Sequence, residues 1–463
     1  MKLDLNSPTL KFSVSGMRGL FPEDINPGNI PAIIHAFHKS VKKGKIAIAR
    51  DNRPTGAAIE NIAIGILQSL GREVHSLGIV PTPTIKAYIQ SLKLAGGIMI
   101  SASHNPIHYT AFKFIKEGGF FFQEKENKAL ESALKQNIYN EAWGNYEKQG
   151  NVVDAHAASI ELHADYVARR IFNRGKAPSN KLKIALDTLG ACATEIIPHF
   201  LDKIGVKYIS LYPEITGYFP RPPEPVPASL SRLSKFVIDN KCDIGFAFDP
   251  DADRLAIVGP DGKPIGEELT LPLSMMKALE KYRNSKQKTK KPVVVNLSSS
   301  LYNEYAASQN NCSVTRSKVG EANVVEVMKR KKAVFGGEGN GGVIDPELPS
   351  FGRDSLSGVG WILSLMIESK KSLNQLLENF PIYIMKKEAI RGDAETVLKI
   401  SRKIQTKFPL WKQDTSDGFH FLAPDLSGWI HIRSSNTEPV IRILAEANNK
   451  KLLAELLDAA REK

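Results

Sequence analysis

Gly96-Gly97-Ile98-Met99-Ile100-Ser101-Ala102-Ser103-His104-Asn105-Pro106 decides how this chain folds. Its first five residues form an apolar run of strand length and read as a buried strand. Two hydroxyls, an imidazole and an amide then crowd into the turn where that strand ends. Pro106 closes the turn and biases Asn105 away from helix. A serine on a tight turn past a strand end is exposed for nucleophilic work. An ordinary turn with Ser or Asn capping a helix reads the same way. The residues alone do not choose between Ser101 and Ser103.

Upstream, 45–49 reads as a strand, 56–70 as a helix, 73–77 as a strand and 82–92 as a helix. With 96–100 this gives β-α-β-α-β, the pattern of an α/β domain. Open α/β sheets bind ligands at the carboxyl ends of their strands. The serine turn lies at one such end and Arg50-Asp51-Asn52-Arg53 at another. Two arginines there suit an anion, and an internal Arg–Asp pair fits equally well. Further upstream, Gly16 and Gly19 flank Met17 and Arg18 in what reads as a polar loop over 12–19. Downstream, Phe112-Lys113-Phe114 alternates as a short strand whose lysine faces away from its aromatic neighbours. Residues 123–143 read as a charged helix.

The pattern restarts with helix 156–170, strand 183–187, helix 194–204, strand 206–211, helix 230–240 and strand 244–248. That last strand runs into Asp249-Pro250-Asp251-Ala252-Asp253-Arg254. Alternating aspartates can converge, and like charges so close repel unless a cation neutralises them. Oxygen ligands at this density suit Mg²⁺ or Ca²⁺. A third round follows: strand 292–296, helix 300–309, strand 313–316, helix 322–330, strand 333–336 and helix 354–369. Between the last two lies Gly337-Glu338-Gly339-Asn340-Gly341-Gly342. Its glycines match a dinucleotide fingerprint, but that fingerprint must open a helix, and Pro346 and Pro349 block one here. The glycines instead suit close backbone approach to a small ligand, with Glu338 and Asn340 as hydrogen-bonding groups.

The last stretch differs. It reads strand 382–390, helix 394–408, strands 418–422, 428–432 and 440–446, and helix 450–461, an antiparallel α+β unit. One hairpin loop carries Arg433-Ser434-Ser435-Asn436-Thr437-Glu438-Pro439, with Arg442 beyond. Amides, hydroxyls and arginine make a phosphate cradle there.

The 463 residues are too many for one core. No apolar run is long enough to span a bilayer, and the first residues lack a signal-peptide core. Three scattered cysteines form neither a metal spacing nor a disulfide framework, so a reducing, cytoplasmic location is the expectation. The net charge of +13 is dispersed. Its densest run, at 286–291, contains no aromatic residue and reads as a solvated loop. The charge favours anionic small molecules over nucleic acid.

Taken together, the serine turn, the carboxylate triad, the Gly-Glu-Asn loop and the phosphate cradle resemble the α-D-phosphohexomutase family. The resemblance covers the whole chain, in the family's order and spacing. It implies three successive α/β domains with mixed sheets plus a C-terminal α+β domain around a central cleft, at 1–150, 151–257, 258–372 and 373–463. It also implies that a phosphoserine at Ser103 interconverts hexose 1-phosphate and hexose 6-phosphate through a 1,6-bisphosphate. Asp249, Asp251 and Asp253 would hold Mg²⁺, with the phosphoserine as a further ligand. Arg18, His104 and Lys113 match positions near the transferring phosphate, Lys113 as candidate general acid/base. Arg254, Lys318, Glu338 and Asn340 would bind substrate, and Arg433, Ser435, Asn436, Thr437 and Arg442 the idle phosphate. A hexose 1,6-bisphosphate would be the activator. The partner would be a small phosphosugar, with neither nucleic acid nor membrane, and the chain a monomer or homodimer.

The glycine-loop form resembles the phosphoglucosamine mutase branch. The alternatives are a bifunctional phosphomannomutase/phosphoglucomutase and, more distantly, a non-catalytic sugar-phosphate-binding protein. Three departures stand out. Pro250 replaces a usual glycine and stiffens the metal loop. Thr110-Ala111 replaces Asn-Gly. Gly342 replaces a histidine, which puts more weight on Lys113.

Overall fold

The computed structural model describes residues 3–13, 16–135, 143–284, 289–434 and 440–461. The chain divides into two compact units, one of 1–270 with 341–374 and the other of 271–340 with 375–463.

The first unit is built on two sheets. In the larger, the parallel strands Ile46–Arg50, Val74–Ile79 and Gly96–Ile100 lie where alternating apolar runs and helices require them. Residues 96–100 are wholly buried. Helices Ile30–Ser40 and Gly56–Ser69 bury Ile33, Phe37, Ile59 and Leu67 in the core beneath this sheet. Gly97 is required by close approach: a Cβ there would lie 2.7 Å from the Ala47 carbonyl oxygen and from Ile89 Cδ1.

The expected loop over 12–19 is corrected. Lys11–Ser13 and Gly16–Leu20 are strands, with residues 14–15 outside the described set. Gly16–Leu20 pairs antiparallel with Tyr109–Lys116, and Arg18 stands opposite Ala111. The partner strand is some ninety residues away, so no local pattern announces the pairing. Tyr109–Lys116 is itself longer than the expected strand, and antiparallel to Gly96–Ile100. The charged helix is Glu124–Lys135, while residues 136–142 lie outside the described set.

The second sheet runs Lys207–Ser210, Lys183–Asp187, Ile244–Phe248 and Leu255–Val258. The first three are parallel. The fourth returns antiparallel, so the acidic loop 249–254 is the turn between two fully buried strands. Helix Ser355–Ser369, from the later stretch, is capped by Asp354 and packs on helix His156–Ile171.

In the second unit, Lys291–Asn296, Cys312–Ser317 and Phe335–Glu338 form parallel pairs. Five antiparallel strands, Ile384–Arg391 to Val440–Ala447, cover helices Ala394–Lys407 and Lys450–Arg461 around a core of Ile400, Ile430, Ile443 and Leu456. The buried Glu446 carboxylate accepts from the Leu301 amide and from Trp429 Nε1, each at 2.8 Å, so it joins this sheet to the 297–301 loop. Of the basic run 286–291, residues 286–288 lie outside the described set.

Candidate active site

Two loops of the first unit meet. Ser103 sits at φ +48° and Ala252 at φ +48°, a left-handed conformation that costs a non-glycine residue about 1–2 kcal/mol. Both are held by buried hydrogen bonds. Ser103 donates from Oγ to Asp249 Oδ2 at 2.9 Å. Its amide donates to Ser101 Oγ at 3.0 Å. Around Ala252, its amide donates to the Asp249 carbonyl at 3.0 Å, and Ser355 Oγ donates to the Ala252 carbonyl at 2.6 Å.

Asp249, Asp251 and Asp253 are fully buried, and one oxygen of each lies within 4.8 Å of the others. Asp249 Oδ1 accepts the amides of Asp253 at 3.1 Å and Arg254 at 3.2 Å. Asp251 Oδ2 accepts Lys113 Nζ at 2.5 Å and also the Thr82 hydroxyl. Asp253 Oδ2 accepts Arg353 Nη2 at 2.5 Å. Asp251 Oδ1 and Asp253 Oδ1 are buried with no hydrogen-bond partner. Orphaned carboxylate oxygens in a closed acidic turn are what a hard divalent cation satisfies. The residues present fit such an ion.

The electrostatics agree. Burial, then Asp253 and Asp251, raise Asp249 well above the usual carboxylate range. Burial also raises Asp253, with Asp251 adding to it and Arg353 opposing. Asp251 is lowered: burial opposes this, but Lys113 and Thr82 overcome it. Burial works to lower the Lys113 ammonium, and Asp251 and Asp253 more than reverse that, so it holds its proton more tightly than a free lysine.

A cavity of about 100 Å³ opens beside Ser103, lined by Arg18, His104, Lys113, Arg254 and Arg353 among others. Arg18 Nη1 donates to Asn105 Oδ1 at 2.6 Å. Arg254 Nη1 donates to Glu224 Oε1 at 2.8 Å, and its buried Nε, without a hydrogen-bond partner, lies 3.9 Å from Asp253 Oδ1 and 4.0 Å from Asp249 Oδ2. So many cations around one small space make an anion hole. Arg254, then burial, then Arg18 and Arg353 push the His104 imidazole down to about 2. The ring is therefore neutral, and its proton must be lost well below ordinary histidine titration. In the ligand-free protein, the His104 ring-proton NMR shifts are expected to stay constant from pH 5 to 8. A titration near the ordinary value of about 6.5 would show that those guanidinium groups do not face the ring.

The structure thus brings Arg18, Ser103, His104, Lys113, Asp249, Asp251, Asp253 and Arg254 together. It adds Arg353, which no motif singles out, because it lies in a loop one residue before a helix cap. Ser101 points its hydroxyl elsewhere, donating to Asp51 Oδ2 at 2.7 Å. Arg53 pairs with Asp51, and Arg50 Nε with Glu60 at 2.7 Å, so the 50–53 loop is an internal Arg–Asp pair.

In the second unit, Glu338 is buried and its Oε1 accepts Asn296 Nδ2 at 2.7 Å and the Gly320 amide at 2.8 Å. Asn340 Oδ1 is buried without a partner. Lys318 is exposed. Arg433 and Arg442 face each other across adjacent strands. Like charges in that position are unfavourable unless an anion is shared. Ser435, Asn436 and Thr437 lie outside the described residues. One glycine of the 337–342 loop serves differently from expectation. Gly341, in the first unit at φ +84°, approaches protein backbone: a Cβ there would lie 2.3 Å from the Leu255 carbonyl oxygen. No helix follows the glycines; Gly342–Ile344 is a strand.

Four family models match in order. They are the phosphoglucomutase/phosphomannomutase α/β/α domains I over 9–141, II over 161–262 and III over 273–383, and the C-terminal domain over 389–463. A protein of Methanopyrus kandleri named "probable phosphoglucosamine mutase" is 31% identical over 450 residues, covering 96% of each chain. A phosphoglucomutase/phosphomannomutase of Thermococcus kodakarensis is 28% identical, also over 96% of each. The crystal structure of a phosphoglucomutase/phosphomannomutase family protein from Burkholderia thailandensis superposes with a TM-score of 0.82 at 22% identity. It covers 98% of this chain and 96% of its own.

Proposed function

We propose, from the premise that this chain belongs to the phosphoglucomutase/phosphomannomutase family, that it is the phosphoglucosamine mutase of that family. It is a phosphohexomutase, an isomerase interconverting hexose 1-phosphate and hexose 6-phosphate. The observation that carries the assignment of residues is the Ser103 hydroxyl, 2.9 Å from Asp249, opening onto a cavity lined by three arginines and a lysine. Phosphoryl transfer needs positioning and charge neutralisation more than covalent machinery, and this site has both.

In the proposed cycle, Ser103 carries a phosphoryl group on Oγ. A sugar hydroxyl attacks the phosphorus, the P–Oγ bond breaks and the hydroxyl's proton is replaced by one on Oγ; the resulting 1,6-bisphosphate turns round, Oγ attacks its other phosphorus, and the sugar oxygen released takes up a proton as the serine hydroxyl loses its own. Arg18, Arg254 and Arg353 hold the equatorial oxygens in the anion hole. Lys113, which lines the same cavity and is kept protonated by Asp251, is proposed to give its proton to the leaving Oγ and to regain one from the attacking hydroxyl. Asp249, Asp251 and Asp253 would hold Mg²⁺, which when bound neutralises charge on the transferring oxygens. Lys318, Glu338 and Asn340 are proposed to read the sugar, and Arg433, Ser435, Asn436, Thr437 and Arg442 to hold the idle phosphate. A hexose 1,6-bisphosphate is the proposed activator.

We also propose domains at 1–150, 151–257, 258–372 and 373–463, a division supported by the strands of the four sheets, which fall close to these limits. The three cysteines are free and buried, which supports a reducing, cytoplasmic location. No helix among the described residues is long and apolar enough to cross a membrane.

The test is a mutase panel of glucosamine, glucose and mannose phosphates with Mg²⁺ and the matching 1,6-bisphosphate. A preference for glucosamine phosphate is the expected result. Comparable rates on mannose and glucose phosphates would reassign the protein as bifunctional. Silence on all three would leave a sugar-phosphate-binding protein.

A further inference from the structure

The serine loop is fixed from behind by Arg53, Asp51 and Ser101, none of which hydrogen-bonds to the acidic triad or to the cavity's cations. Arg53 is 2% exposed. Its Nη2 donates to the Ser103 carbonyl at 2.9 Å and to the Asn105 carbonyl at 2.6 Å. These two carbonyls bracket His104. Nη1 of the same guanidinium pairs with Asp51 Oδ2. Asp51 Oδ2 also accepts Ser101 Oγ at 2.7 Å, and Ser101 Oγ accepts the Ser103 amide at 3.0 Å. Both main-chain polar groups of Ser103 therefore end on one Arg–Asp pair at the tip of strand Ile46–Arg50. On its outer side Arg53 lies 5.1 Å from the centre of the Phe219 ring. The neighbouring Asn52 donates from its side-chain Nδ2 to the Gly190 carbonyl at 2.7 Å.

We propose that Arg53 is a positioning residue for phosphoryl transfer, holding Ser103 in its left-handed conformation so that Oγ stays on Asp249. The inference rests on the reading of Ser103 as the phosphoryl carrier. Arg53 is absent from the cavity wall, and Asp51 matches its charge, so it adds nothing to the anion hole. Its contribution is geometric. A planar fork can hold two carbonyls and a carboxylate at once, whereas a lysine ammonium on a flexible stem cannot hold the same set in fixed directions. A shift of about 1 Å in a reacting atom is worth about 100-fold in rate.

The experiment compares Arg53→Lys and Ser101→Ala with wild type. Each is measured for kcat, KM, melting temperature and amide exchange at Ser103 and Asn105. We expect kcat to fall about 100-fold in Arg53→Lys and about 10-fold in Ser101→Ala, with KM within about twofold and faster exchange at both amides. Arg53→Ala should regain part of its kcat in millimolar guanidinium, which refills the vacated site. Wild-type kcat in both Arg53→Lys and Ser101→Ala overturns the proposal. So does a loss that scales only with melting temperature, without guanidinium recovery. If wild type itself has no mutase activity, the functional reading fails, and amide exchange still decides the positioning role: unchanged exchange in both variants overturns it.

Discussion

Ser103→Ala is expected to lower turnover by about 10⁴-fold or more while the melting temperature stays close to wild type. The substitution removes the oxygen that accepts and returns the phosphoryl group. What it removes structurally is one hydrogen bond to Asp249 and a long 3.5 Å contact with His104 Nδ1, while the amide and carbonyl that hold the turn remain. No neighbouring hydroxyl takes over, because Ser101 Oγ is engaged with Asp51 and with the Ser103 amide. The check is steady-state turnover beside intact mass after incubation with the 1,6-bisphosphate. Wild type should gain the mass of one phosphate and the variant none. Phosphate on the variant, with turnover near wild type, would move the carrier to another hydroxyl.

Asp249→Asn should separate activity from stability, with opposite signs. In the metal-free protein, burial and the neighbouring aspartates raise the Asp249 carboxyl well above its ordinary value. A folded-state value above the unfolded one contributes stability at acid pH, lost as pH rises through the folded value. Metal-free wild type should therefore weaken as the buffer becomes more alkaline. Asparagine keeps an acceptor for the Asp253 and Arg254 amides and carries no charge. The variant should melt higher than wild type at pH 8 in EDTA, with a flatter pH dependence. Added Mg²⁺ should raise the wild-type melting temperature and leave the variant almost unmoved. Turnover should fall by about 10³-fold or more, since the charge on the transferring oxygens is no longer neutralised. A variant that melts no higher in EDTA, or still responds fully to Mg²⁺, would show that Asp249 is not held among uncompensated charges.

Much of this site is legible along the chain because its two chemical loops follow strands buried on both faces. Such strands read as continuous apolar runs, and 96–100 and 244–248 end where the sequence places them. The carboxylate triad is legible as well from the alternation of its aspartates, although the turn that brings them together needs Ala252 in a left-handed conformation. What escapes is non-local. Gly16–Leu20 looks like a loop because its polar, glycine-rich residues make sense only against Tyr109–Lys116. Leu255–Val258 pairs back on Ile244–Phe248 across the acidic turn, which no helical or alternating period reveals. Arg353 looks like an ordinary loop arginine, and Arg53 reads equally as an anion ligand or as the partner of a nearby aspartate. The first acquires its role from Asp253, one hundred residues earlier, and the second from a carbonyl fifty residues later. The family resemblance, not periodicity, distinguished Ser103 from Ser101, and the hydrogen bonds now give a physical reason for the same choice.

The first compact unit is assembled from 1–270 and 341–374, and this bears on how the protein is made. When a ribosome has finished Thr270, the nascent chain already holds both the serine turn and the acidic turn. It still lacks Arg353 for Asp253 and Asp354 for the buried His163, whose Nε2 lies 2.9 Å from Asp354 Oδ2. At about 5–20 residues per second, the eighty or so residues from Thr270 to Arg353 and Asp354 delay those partners by about 4–17 s. During that interval helix His156–Ile171 lacks the helix Ser355–Ser369 that packs on it. A fragment ending at Thr270 should be cut readily by protease where the full chain resists. Equal resistance would mean that the later stretch joins a unit already complete.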